Sequence, residues 1–154
     1  MNMLLSVLFG FLLLACSPLQ ARLPQSGTNI RQGIAGKVVV RTGNHMPGPG
    51  KFTPPPASPA SREILVYPLT NLSQVQTNGS FYTQIQTKLV AKIVSGPDGT
   101  FRLFLPPGKY SLFSQEKEGL FANRLDGESN IFPVEVQAGQ LTEVEFIIDY
   151  NASY

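Results

Sequence analysis

From Ile34 onward the apolar residues come in short runs, rich in Val, Ile, Leu, Phe and Tyr, and most are closed by Gly or Pro. None carries the i, i+3, i+4 spacing of a helix, whereas several alternate with period two. With 14 Gly and 13 Pro among 154 residues, the chain reads as many short strands joined by turns. Strands are expected at Ile34–Val40, Arg62–Tyr67, Lys88–Val94, Thr100–Leu105, Lys109–Ser114, Leu120–Asn123, Ile131–Val136 and Leu141–Tyr150. Gly96-Pro97-Asp98-Gly99 and Pro106-Pro107-Gly108 are turn sequences. The second is expected to close a hairpin with Phe101, Leu103, Leu105, Tyr110 and Leu112 on one face and Phe104 and Phe113 on the other. The expected fold class is therefore all-β, an antiparallel β-sandwich of about seven or eight strands. Its core should hold Phe101, Leu103, Tyr110, Leu112, Val134, Val136, Val144, Phe146 and Ile148.

The length suits one domain, for which roughly 100–200 residues is usual. Such a domain hides about two-thirds of its unfolded surface and requires neither disulfide nor metal. Lys and Arg number 12 against 10 Asp and Glu, scattered without a basic cluster, so nucleic acid is not an expected partner. One His, one Cys and no Trp leave little material for metal or His-dependent chemistry. The chain is expected to be non-catalytic and to need no cofactor.

Met3 to Leu14 is a continuous apolar run. It is shorter than the ~20 residues of a membrane span and has the length of a signal-peptide core. It ends in Leu13-Leu14-Ala15-Cys16, which resembles the bacterial lipobox. Small Ala15 admits a peptidase, and a thiol is the nucleophile that lipid transfer needs. The chain's single Cys stands at the position this motif demands. The resemblance implies a signal peptide over 1–15 and a Cys16 carrying palmitate-type acyl chains. It also implies a tether over 16–30, and membrane attachment through the lipid on Cys16. Ser17, rather than Asp, after the Cys implies the outer membrane, with the domain facing the periplasm. The sandwich then occupies 31–154, with a Pro-rich loop at 42–60.

Ser95-Gly96-Pro97-Asp98-Gly99-Thr100-Phe101-Arg102-Leu103-Phe104-Leu105-Pro106-Pro107-Gly108-Lys109-Tyr110-Ser111-Leu112 resembles the central hairpin of carboxypeptidase regulatory-like domains, which are transthyretin-like (prealbumin-like) sandwiches. The stretch Pro133 to Phe146 is similar to their closing strand pair, and Gly36-Lys37-Val38 to their opening strand. The resemblance covers the first strand and most of Leu89 to Tyr150, and not Thr42 to Thr87. It implies an accessory, binding or spacing module, here one that presents a surface to a protein or glycan.

The candidate partner surface is Phe104 and Phe113 with Phe52, Pro54, Pro55 and Pro56, because exposed apolar patches mark interaction sites; the alternative is that Phe104 and Phe113 are each covered by the second sheet's rim, an edge loop or the Pro-rich insertion. Met46 or Phe52 is expected to pack the Pro-rich loop against the sandwich, with Pro49–Pro56 outward. Asp126, Glu128 and Asn130 place oxygens at alternate positions, a spacing that can ligate Ca²⁺, although a turn with solvated acids fits as well. The alternative function is a small hydrolase or metal-assisted enzyme in which the His45 loop meets Asp126 and Glu128; one imidazole cannot make a site alone. Ser114-Gln115-Glu116-Lys117 matches S-x-x-K, but that chemistry needs a helix start and here the motif ends a strand.

Overall fold

The computed structural model describes residues 31–46, 53 and 55–154. Its strands are β1 (Gly33–Asn44), β2 (Ser58–Pro59), β3 (Glu63–Pro68), β4 (Gln76–Asn78), β5 (Phe81–Thr83), β6 (Ala91–Val94), β7 (Thr100–Leu103), β8 (Gly108–Gln115), β9 (Leu120–Phe121), β10 (Pro133–Val136) and β11 (Leu141–Ser153). A single 3-10 turn, Leu72–Gln74, is the only helical element among the described residues. One sheet runs β11-β1-β2, with β7 also on β1; the other runs β4-β5-β9-β8-β3-β6, with β10 also on β8. The chain is an all-β sandwich, as the period-two runs require.

Alternation explains the core. Phe101, Leu103, Tyr110, Leu112, Val134, Val136, Phe146 and Ile148 are buried, and Val144 packs half-buried against them. Gly36 lies where β1 crosses this core: a Cβ there would stand 2.5 Å from the Val144 carbonyl and 2.7 Å from the Phe101 ring. Between β6 and β7, Asp98 Oδ1 accepts from the Thr100 N–H (3.1 Å) and hydroxyl (2.8 Å). Gly99 has φ +79°, and its carbonyl accepts from Val38 N–H at 2.8 Å, which stitches the turn onto β1.

Three expectations change. First, Thr100–Leu105 and Lys109–Ser114 are not a hairpin. β7 pairs with β1, whereas β8 pairs with β3, β9 and β10, so Pro106-Pro107-Gly108 is a corner that carries the chain from one sheet to the other. Prolines cannot donate to a ladder, and the Tyr110 hydroxyl, donating to Pro106 O at 2.9 Å, pins the corner. Second, the sandwich is not wholly antiparallel: β1 and β11 run parallel from Gly33↔Leu141 to Asn44↔Ser153. That pairing extends β1 through Thr42-Gly43-Asn44, so the Pro-rich loop begins at His45 rather than at residue 42. Third, β6 begins at Ala91 rather than Lys88, and Leu89 and Val90 are exposed.

Phe113, which alternation alone places on the surface, is fully buried, as the covered alternative has it. The polar stretch after β3 folds back over the outer face of the larger sheet. Tyr82 and Tyr67 meet the Phe113 ring edge-on, each with centroids 5.6 Å apart. Ser111 Oγ accepts from Thr70 N–H at 2.9 Å on the same outer face. β8 is therefore covered on both faces.

Candidate functional site

Strand direction divides the sandwich into two ends. β1 leaves Arg31 and reaches Asn44 after twelve residues, which span roughly 40 Å at about 3.3 Å each. β7 runs antiparallel to β1, with Leu103 opposite Ile34, so the Pro106–Gly108 corner lies where β1 begins. Gln32 ties this near end together: its side-chain amide donates to Leu105 O (3.0 Å) and accepts from Gly139 N–H (2.9 Å). The far end holds Asn44, His45 and the close of β11. There His45 N–H donates to Ser153 O at 2.7 Å, and its ring stacks on Tyr154 at 5.6 Å.

Asp126, Glu128 and Asn130 do come together, beside a cleft of about 240 Å³ also lined by Leu69, Lys109, Pro133, Val134 and Glu135. Their oxygens are engaged within the turn. Asp126 Oδ1 accepts from Glu128 N–H (2.9 Å) and Asn130 N–H (2.8 Å). The Asn130 side-chain amide donates to Asp126 Oδ2 (2.9 Å) and Glu128 Oε2 (3.4 Å), while its own oxygen accepts from Asn71 at 3.2 Å. The Asn130 side-chain amide, then its backbone N–H, hold the Asp126 carboxyl below the ordinary aspartate value, with smaller help from Glu128 N–H and Lys109. A neutral amide stands where a cation would, which is the geometry of a capped turn. Among the described residues no group of three or more His, Cys, Asp or Glu is placed to hold a metal.

His45 does not meet these acids. The cleft opens beside Lys109 at the start of β8, which leaves the corner at the near end; His45 is at the far end, against Ser153 and Tyr154. The hydrolase arrangement is not assembled. Ser114 is buried in strand β8, not at a helix start.

Of the expected partner surface, Phe104 is 52% exposed, Pro55 and Pro56 are exposed, and Phe113 is removed by burial. Phe52, Pro54 and Cys16 lie outside the described residues. Met46 is not packed down: it is 51% exposed, because the Asx turn from Met46 N–H to Asn44 Oδ1 (2.9 Å) leads the chain off the sheet.

One cluster was not anticipated. Glu116, with its side chain only 5% exposed, pairs with Arg62 Nε at 3.4 Å and accepts from the Tyr150 hydroxyl at 3.1 Å. Burial, then that bond and the Glu116 charge, raise the Tyr150 pKa above its ordinary value of 10.0. The signal was available: continuing the inward phase Tyr110, Leu112, Ser114 by two residues points Glu116 at the opposite sheet. The triad ties the start of β3 and the end of β8 to β11. Comparison of the chain with protein-family models, curated proteins and solved structures finds no match.

Proposed function

We propose that the chain is a non-catalytic bacterial lipoprotein, held by acyl chains on Cys16 in the outer membrane and facing the periplasm. Its sandwich, of the carboxypeptidase regulatory-like kind, presents loops to a protein or glycan. The observation that carries this reading is the parallel pairing of β1 with β11. That pairing keeps β1 extended from Gly33 to Asn44, so in this reading the chain arrives from Cys16 at one end of a twelve-residue strand and departs into the Pro-rich loop at the other. Roughly 40 Å of rigid strand then stands between anchor and loop. The loop returns at Ser58–Pro59, which pair with Val40 and Val39, so both its ends are fixed to the same strand. Holding both ends of a loop lowers the entropy that a partner must overcome on binding.

The test is fractionation of the full chain in a bacterial host, with mass spectrometry of the mature N-terminus. The expected result is a diacylglyceryl-modified, N-acylated Cys16, with the Cys16→Ser chain lost from the membrane fraction. An unmodified Cys16, or a Cys16→Ser chain that stays in the membrane, overturns the reading.

A further inference from the structure

We propose that the near rim of the sandwich rests against the lipid bilayer, with Phe104 as the side chain that enters the headgroup boundary. This rests on the lipid anchor at Cys16 proposed above, and it turns Phe104 from a partner contact into a membrane contact. Phe104 is 52% exposed although its neighbours Leu103 and Leu105 are buried. It continues the Ile34↔Leu103 register and so stands beside Gly33, two residues from Arg31. Exposed Pro106 and Pro107 follow it on the same rim. The Gln32 bonds to Leu105 O and Gly139 N–H hold this rim to the start of β1, so the apolar group cannot swing away from the point where the tether joins.

The occupant follows from where the remaining chain leads. Ser17 to Ile30 separate Cys16 from Arg31, and a random-coil chain of that length has an r.m.s. span of about 20 Å. The near rim thus stays within reach of the surface holding the lipid, whereas the far end is roughly 40 Å farther along β1. Tethering makes the encounter intramolecular, so a weak contact is well populated. Phe is among the apolar side chains that interfacial segments bury at the headgroup–acyl boundary. Exposed Arg31 and Arg102 flank Phe104 at the junction of β1 and β7, the arrangement that anionic headgroups attract. Glu143, in register with Ala35, and Glu135, in register with Lys109, lie on the neighbouring strands, and Asp126 and Glu128 line the near-end cleft beside Lys109; the basic pair is the one beside the ring.

The chain has no Trp, so Phe104→Trp supplies a single reporter at an exposed position. The full lipidated chain is placed in phosphatidylethanolamine–phosphatidylglycerol vesicles whose acyl chains are brominated near the headgroup. Interfacial side chains reach about 5–10 Å into the headgroup–acyl boundary, so the Phe104→Trp emission should fall roughly twofold. Tyr154→Trp, at the far end, should be unchanged. If the protein floats with the vesicles but the Phe104→Trp emission is not quenched, or both reporters are quenched alike, the rim proposal fails while the anchor stands. If the protein does not float and Cys16 is unmodified, both fall.

Discussion

Replacing Phe113 by Ala separates the observed fold from the one that strand alternation alone would give. On a two-sided sheet with a wet outer face the ring would be exposed, and its loss would change stability by no more than about 0.5 kcal/mol. Observed, the ring is fully buried between Tyr67 and Tyr82. Emptying a buried Phe costs about 3–5 kcal/mol, of which each edge-on aromatic pair supplies about 0.5–1.5. β8 cannot move to fill the space, since β3 holds one side and β9 and β10 the other. Tyr82 can, because its three-residue strand β5 is held only by short ladders to β4 and β9. Partial collapse therefore favours the lower part of the range, about 3 kcal/mol. Urea unfolding followed by far-UV circular dichroism measures it: at a slope near 2 kcal/mol per molar, the midpoint drops by about 1.5 M. Phe104→Ala is the control and should stay within about 0.5 kcal/mol. A Phe113→Ala loss as small as that of Phe104→Ala would refute the covered outer face.

Two further outcomes follow from the polar contacts. Tyr150→Phe removes the hydroxyl that Glu116 accepts and should cost about 1 kcal/mol, and Glu116→Gln about 2; a double variant whose losses add fully in urea unfolding would mean that the two side chains are not coupled. The Asp98 carboxyl is held below its ordinary value of 3.8 by the Thr100 hydroxyl and N–H, and Asp126 by the Asn130 side-chain amide first. Both carboxyls favour the folded state when ionised, so their contribution is complete above pH 3.8 and is lost as pH falls below it through the folded values. Melting temperatures of an Asp98→Asn, Asp126→Asn chain should therefore vary less steeply with acid than the parent's below that pH; equal slopes would sink the assignment.

Period-two alternation at Thr100–Leu105 and Leu141–Tyr150 made the core legible, because it depends only on side-chain direction. It gives a face and not a partner, which is why Pro106-Pro107-Gly108 reads equally well as a hairpin turn and as a corner between sheets. The adjacent pair Leu112-Phe113 held the missing information: two large apolar residues in succession point to opposite faces, and a strand that buries both is covered on both. The cover was hidden because it comes from a polar stretch. Its backbone groups are satisfied locally by Asn71, which accepts from Ser73 N–H, and by Gln74, which accepts from Asn71 N–H. Only Tyr82, Leu72 and a few neighbours are apolar. The candidate Ca²⁺ spacing at Asp126–Asn130 was legible as a turn, but the direction of the Asn130 amide depends on Asn71, far away in sequence.

The parallel β1–β11 pair joins residues roughly a hundred positions apart, so loop-closure entropy must be met before its contacts form. Until β11 arrives, β1 has only the short ladders to β7 and β2 on its other side. β11 also brings Phe146 against Phe132, with ring centroids 4.7 Å apart, and Tyr150 onto Phe81 and Phe121 at 5.0 and 5.2 Å. It thereby clamps the smaller sheet to the larger along its whole length. The same strand ends at Ser153, whose carbonyl accepts from His45 N–H, so the launch point of the Pro-rich loop is set by the element that closes the core. The point where the chain leaves β1 for that loop cannot shift without loosening β11. In the proposed reading, the distance of that point from the membrane is therefore a property of the whole sandwich rather than of the loop's own sequence.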